Sequence, residues 1–349
     1  MKKILITGIL GQDGANMAEF LLKNTSNEIY GMMRRSSNPN FINIENFKNN
    51  PRFKLVFGDL VDEVSLNNLV KEIQPDYFVN FAANSFVGIS WDMPIQVFEA
   101  NTLGVIRSLE AIRKFKPDCR FYSAGSSEEW GNVDYSPQDI SHPIKPRSPY
   151  GASKAAARHI VKVYRESYNM YAVHGILLNH EGVKRGQEFV TRKISKGVSR
   201  IYHSLKAGNL SFEPIKLGNV FSKRDWSDSE DFVEGVWLML NQDKPKDYVL
   251  SSGETHSIKE FVERAFHTAK IIGCWLKENE PDKMIYAMPV LDDLEHVPLV
   301  IIDPKFYRPA EVDLLLGDST PIRKELGWAP KVTFSDLVEK MVKYDINNP

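Results

Sequence analysis

The stretch Lys3-Ile4-Leu5-Ile6-Thr7-Gly8-Ile9-Leu10-Gly11-Gln12-Asp13-Gly14 decides the fold. Lys3 to Thr7 is a short apolar run that stops at a glycine, the mark of a parallel strand buried on both faces. Met17, Phe20, Leu21 and Leu22 then recur at helical spacing. Gly8, Gly11 and Gly14 sit between that strand and that helix. In this context the first glycine permits the tight turn, the second lets backbone approach a pyrophosphate, and the third lets helix pack on strand. The helix N-terminus offers unpaired N–H groups to phosphate. The segment therefore predicts a dinucleotide clamp.

Working outward, strands alternate with helices. Glu28 to Met33, Lys54 to Phe57, Tyr77 to Ala82, Arg120 to Ala124 and Ala172 to Leu178 read as strands. Leu66, Leu69, Val70 and Ile73 form a helical stripe that stops before Pro75. Val105, Leu109 and Ile112 mark another helix, and Tyr150 to Tyr164 a longer one. This rhythm predicts an α/β fold: a doubly wound parallel Rossmann sheet with right-handed crossovers. After Asn179 the rhythm changes. Residues 181–215 are mixed and basic, and Asp247 to Leu250 reads as a late strand. Ser257-Ile258-Lys259-Glu260 is a capping box. Residues 274–306 read as irregular, and Val332 to Tyr344 as a strand-like entry followed by an amphipathic helix. The expected division is a nucleotide-binding domain over 1–180 with returns near 216–256. A smaller C-terminal α/β substrate-binding lobe would come mainly from 181–215 and 257–349.

Composition narrows the function. The formal net charge of −1 gives no global field toward nucleic acid or acidic membrane. No apolar run approaches the roughly 18 to 20 residues that span a bilayer. The start reaches Gly8 too soon for a signal peptide, so cytoplasm is the expected compartment. Two cysteines, Cys119 and Cys274, give neither a disulfide framework nor a metal-ligand spacing, and no metal is expected.

The end of the second strand separates NAD from NADP binders. An acid there bonds the ribose 2′-hydroxyl of NAD. Here the strand runs into Met33-Arg34-Arg35-Ser36-Ser37, and arginines suit a 2′-phosphate. The expected cofactor is NADP. Asp59-Leu60 follows the third strand, where it reaches the adenine, and Ala82-Ala83 follows the fourth, where small side chains admit the cofactor.

The chemistry is expected from Ser126, Glu128, Tyr150 and Lys154. Tyr150 and Lys154 are four apart and share one helical face. An ammonium near a phenol lowers the phenol's pKa from about 10, which makes Tyr150 a base toward an alcohol. Lys154 is also placed to hold the nicotinamide ribose. A dehydrogenase or epimerase needs the hydroxyl, Tyr and Lys only. A carboxylate such as Glu128 allows a proton to be taken from carbon and a leaving hydroxyl to be protonated, as a dehydratase requires.

At this point the chain resembles the extended short-chain dehydrogenase/reductase family, and within it the GDP-mannose 4,6-dehydratases. Gly11-Gln12-Asp13-Gly14, Arg34-Arg35-Ser36-Ser37, Pro146-Arg147-Ser148-Pro149-Tyr150-Gly151 and Asn179-His180-Glu181 carry the likeness. Phe189 to Ile194, Lys223 to Trp226 and Tyr307 to Asp313 extend it through the C-terminal half. The resemblance implies that Gln12 and Asp13 join the glycines on NADP. It implies hydride removal from C4 while Tyr150 takes the hydroxyl proton, loss of the C5 proton to Glu128, departure of water from C6, and return of the hydride to C6. By similarity Ser126 bonds the C4 oxygen, in place of the usual threonine. Ser85, Asn179, Lys193, Arg224, Arg308 and Glu311 match positions that hold the GDP-sugar. The Arg35 loop matches a subunit contact, which implies a homodimer or homotetramer.

The departures fall at Leu10, at Phe86 and Gly88 in place of His and Lys, at Glu129-Trp130 in place of Leu-Tyr, and at Gly182-Val183-Lys184 in place of Ser-Pro-Arg. They leave GDP-mannose and GDP-D-glycero-α-D-manno-heptose level as substrates. A GDP-sugar 4-reductase or epimerase and a non-catalytic NADP-binding sensor are the alternative readings.

Overall fold

The computed structural model of the chain describes residues 1–289, 296–307 and 314–349. Seven parallel strands form the central sheet: β1 (Lys3–Thr7), β2 (Glu28–Met33), β3 (Phe53–Phe57), β4 (Tyr77–Asn80), β5 (Arg120–Ala124), β6 (Ala172–Leu177) and β7 (Tyr248–Leu250). Their order is β7-β6-β5-β4-β1-β2-β3. The order reverses between β1 and β4, and the crevice over such a switch point is where these sheets bind ligands. The predicted fourth strand ends at Asn80 rather than Ala82, because Phe81 and Ala82 leave the ladder to approach the clamp.

Helices cover both faces. On one, α1 (Gln12–Asn24) buries Ala15, Met17, Ala18, Leu21 and Leu22, and α6 (Ser229–Leu240) buries Phe232, Val233 and Val236 against the same core. On the other, α2 (Glu63–Ile73), α3 (Gly104–Phe115) and α4 (Pro149–Tyr168) share a core around Phe78, Leu109, Phe121 and Val161. On this second face two of the starts are capped by a side chain. Asp62 accepts a hydrogen bond from Val64 N at the head of α2, and Ser148 from Gly151 N at the head of α4.

The second lobe is built on α5 (Val190–Lys206), α7 (Ile258–Thr268) and α9 (Phe334–Asn347), which bury a separate core around Phe261, Phe266, Leu337 and Met341. Short α8 (Thr320–Leu326) returns Ile322 to the core of the first domain. The region 274–306 is more regular than the sequence suggests. Cys274–Leu276, Ile285–Pro289 and His296–Ile302 form an antiparallel run, and Ile215–Leu217 adds a parallel edge to it. The register shifts between Tyr286 and Ala287, which breaks the period-2 alternation that marks a strand in sequence. No strand precedes α9: Val332 lies in the bend that enters the helix. Among the described residues, no helix is long and apolar enough to cross a membrane.

Candidate active site

The clamp forms as its glycines dictate. Gly8 takes φ +71°, in the left-handed region, and a Cβ there would stand 2.9 Å from Ala82 N. A Cβ on Gly14 would stand 2.4 Å from the Gly8 carbonyl oxygen. Gly11 is the N-cap of α1, and no side chain caps it, so the first N–H groups of the helix face the crevice. The donor set and the glycine cradle fit a dinucleotide pyrophosphate.

Around this cradle lies one cavity of about 1130 Å³. It exceeds the few hundred to roughly 1000 Å³ of a usual single-ligand pocket. Its lining includes Gly8, Gly11, Gln12, Asp13, Gly14, Arg34, Asp59, Leu60, Ala82 and Ala83. Ser85, Ser126, Glu128, Tyr150, Lys154, Asn179, Lys193 and Arg224 line it as well. Arg35 is exposed and is not part of the lining. Arg308 and Glu311 lie outside the described residues.

The reactive side chains come from two elements. Tyr150 and Lys154 are buried on the first turns of α4. Glu128 lies in a single 3₁₀ turn, Ser127–Glu129, just after β5, and Ser126 is the residue before it. Ser126 caps this turn, accepting from Glu128 N at 3.3 Å, and Glu128 is half-buried in the cavity wall. The Lys154 ammonium donates to the Ala124 carbonyl at 2.8 Å and lies 5.9 Å from the centroid of the Tyr150 ring.

The electrostatics correct one expectation. Burial pushes the Tyr150 phenol well above its usual range, and the Glu128 charge pushes the same way. A hydrogen bond with Ser126 and the Arg185 charge oppose them. The phenol therefore rises on burial instead of falling as the sequence suggests, while the Lys154 ammonium donates to the Ala124 carbonyl. Burial also brings Lys154 down to about 8, against the charges of Glu129 and Asp13.

Three groups were missed in the sequence. His180 Nε2 lies 2.9 Å from Asp13 Oδ2, and its Nδ1 lies 2.8 Å from the Leu178 carbonyl. Burial acts downward on this imidazole, but the Asp13 charge and hydrogen bond outweigh it and hold His180 above its usual range. For Asp13 burial acts upward, but the His180 charge and hydrogen bond and the Arg185 charge outweigh it and hold the carboxyl below its usual range. Arg185 lines the cavity with its guanidinium 3.5 Å over the Phe189 ring. Asn101 sits buried in a π-helical turn, Glu99–Leu103, where it accepts from Asn84 N at 2.8 Å and donates to Ser153 Oγ at 3.1 Å. It ties the Asn84–Ser85 wall to α4. Their spacing carries no signal in one dimension; Asp13 and His180 meet across 167 residues.

A glycine clamp at a sheet switch point, with a Tyr-x-x-x-Lys pair in the same cavity, defines a nucleotide-cofactor enzyme of the short-chain dehydrogenase/reductase type. The fold agrees. It superposes on a dTDP-glucose 4,6-dehydratase from Streptomyces venezuelae with NAD bound at a TM-score of 0.79, 21% identity, 99% of this chain and 97% of that one. RMD from Pseudomonas aeruginosa complexed with NADPH gives 0.76 at 18% identity and full coverage of both chains.

The sequence goes further, since residues 5–341 match the family pattern of GDP-mannose 4,6-dehydratase. The GDP-mannose 4,6-dehydratases of Drosophila melanogaster and Homo sapiens are each 43% identical, covering 99% and 98% of this chain and 86% and 91% of theirs. That of Yersinia enterocolitica is 39% identical, over 99% and 94%. The chain belongs to the GDP-mannose 4,6-dehydratase family and is a hydro-lyase.

Proposed function

We propose that this chain dehydrates a GDP-linked manno-configured sugar, GDP-mannose or its heptose homologue GDP-D-glycero-α-D-manno-heptose, to the 4-keto-6-deoxy product, with NADP as resident cofactor. The observation that carries the reading is that Ser126, Glu128, Tyr150 and Lys154 line one cavity with the glycine clamp and with Lys193 and Arg224. Gly8, Gly11, Gln12, Asp13 and Gly14 would hold the pyrophosphate, Asp59 and Leu60 the adenosine, and Arg34 the 2′-phosphate. When bound, the nicotinamide supplies a hydride acceptor that later returns the hydride.

The protein's own groups do the rest. Tyr150 takes the C4 hydroxyl proton, with Ser126 bonding the same oxygen and Lys154 steadying the ribose. Arg185 lowers the phenol's cost of ionising. Once C4 is a ketone the C5 proton is acidic; Glu128 takes it and protonates the departing C6 hydroxyl. Asn179, Lys193 and Arg224 face the diphosphate and nucleoside, joined by Ser85 toward the sugar; Arg308 and Glu311 complete this set in the proposal. Phe86 and Gly88 give the wall an uncharged stretch, the Phe86 ring lying where a Gly88 Cβ would stand 3.0 Å from it. That stretch favours testing the bulkier heptose beside mannose. The assembly proposed is a homodimer or homotetramer with Arg35 at a contact.

Incubation with a panel of GDP-, UDP- and dTDP-sugars in D₂O tests the reading. The expected result is loss of one water from a GDP-manno sugar with one solvent deuterium at C5. Product without loss of water would make the enzyme a reductase or epimerase. Tight cofactor binding without turnover of any sugar would make it a sensor.

A further inference from the structure

The catalytic turn is fixed from behind by a pair of groups outside the cavity lining. Glu129, the third residue of the Ser127–Glu129 turn, is wholly buried, as is His174 in the middle of β6. Glu129 Oε1 accepts from Ser126 N at 2.8 Å and lies 2.9 Å from His174 Nε2. A Cβ on Gly125 would stand 2.3 Å from His174 Nε2 and 2.8 Å from Glu129 Oε1, so the backbone entering the turn is packed directly on the pair.

A capping box alone does not explain this. The same chain has a second one at Ser257–Glu260, where the glutamate side chain is 53% exposed and stays hydrated. Burying a carboxylate is costly unless it is paired and bonded. Here that arrangement occurs one residue from Glu128 and three from Ser126. The charged and titratable groups around Glu129 are His174 from β6 and Arg158 from α4; Tyr150 and Lys154 on α4 and Tyr122 on β5 feel its charge.

We propose that Glu129 and His174 are positioning residues of the dehydration step. Glu129 fixes the Ser126 backbone and thereby sets where the Ser126 hydroxyl and the Glu128 carboxylate stand relative to Tyr150, and His174 fixes Glu129. Neither group touches substrate. The inference rests on the proposed dehydratase reading, and wild-type turnover in the same assay separates the two: no dehydration by wild type defeats the reading, not the pair.

The test compares three variants of the full chain. Glu129→Leu removes both hydrogen bonds, His174→Leu removes only the group that orients Glu129, and Glu129→Gln keeps an acceptor oxygen for both donors. Misplacement of reacting groups by an ångström costs up to about 100-fold in rate. The expected result is kcat lowered about 10- to 100-fold in the two leucine variants, with KM and the calorimetric Kd for the GDP-sugar within about twofold. Glu129→Gln should recover kcat to within a few-fold of wild type.

Wild-type kcat in both leucine variants would overturn the proposal. So would substrate binding that falls in step with turnover. A glutamine variant as impaired as the leucine would also overturn it, since charge rather than position would then act. Failure of all three variants to melt cooperatively would assign the pair to folding alone.

Discussion

At the scale of single residues, the site separates two acids that are neighbours in sequence. Glu128 is half-buried in the cavity wall, while Glu129 is sealed behind it. Only the first can exchange protons with a substrate. Glu128→Gln is therefore expected to leave cofactor and GDP-sugar binding intact while lowering turnover at least about 100-fold, the scale of a lost general acid–base group. Steady-state kinetics beside calorimetric affinities read this, and near-normal turnover would remove Glu128 from the chemistry. Lys154 supports a second prediction. Its folded-state pKa is about 8 against 10.5 in the unfolded chain. Between those values the unfolded chain holds more protons, so this residue's contribution to stability rises with pH across that window. Below it, the buried ammonium costs stability in full. Lys154→Met should therefore stabilise the cofactor-free protein at pH 7 by about 1 to 2 kcal/mol, after allowing for the lost Ala124 hydrogen bond. Urea titrations at pH 7 and pH 10 should show the advantage shrinking at the higher pH. An advantage that grows with pH would contradict the assignment.

At the scale of elements, the first half of the chain was legible because its strands, apart from the edge strand β3, are mostly buried on both faces and its helices carry clean stripes. β1, β2, β5 and β6 begin within a residue of where the apolar runs place them. The lobe was less legible. The strand His296–Ile302 carries Pro298, it holds the extra residue of a bulge at Leu299, and its exposed and buried residues do not alternate. The site followed the same division. Residues on the tips of parallel strands could be found because the fold fixes where the tips point. His180, Arg185 and Asn101 could not, since their roles arise only where distant elements meet. The clamp, being local, permits a prediction at this scale. A methyl on Gly14 meets the backbone of Gly8 and Ile9, and neither can yield as a flexible side chain would. Gly14→Ala should move the head of α1 off β1, weaken binding of the nicotinamide cofactor at least about tenfold and cost about 1 to 3 kcal/mol. Fluorescence titration with NADPH and a thermal melt measure the two effects. Unchanged NADPH affinity would mean that the third glycine is not needed for close approach.

At the scale of the whole molecule, the cavity needs both cores to hold their places, since its walls come from the central sheet and from the second lobe. Helix α5 illustrates the dependence. Lys193 projects from it toward the cavity, and its neighbour Arg192 is buried on the far side. There Arg192 pairs with Asp345 of α9, which also accepts from Ser195 Oγ at 2.7 Å; the Asp345 carbonyl accepts from Ser199 Oγ at 2.7 Å. The C-terminal helix thus fixes the rotation of the helix that carries a cavity-lining lysine. Asp345→Ala would leave the Arg192 guanidinium buried without its carboxylate, a change that costs about 3 to 5 kcal/mol. The damage should stay in the second lobe, because the clamp and β1 belong to the other core. The expected outcome is a lower, broader melting transition, GDP-sugar affinity reduced by about tenfold or more, and NADPH affinity close to wild type. Parallel titrations with the two ligands on one preparation make the comparison. Equal loss of both would show that the two cores fold as a single cooperative unit, and that the C-terminal helix supports the nucleotide clamp as much as the sugar site.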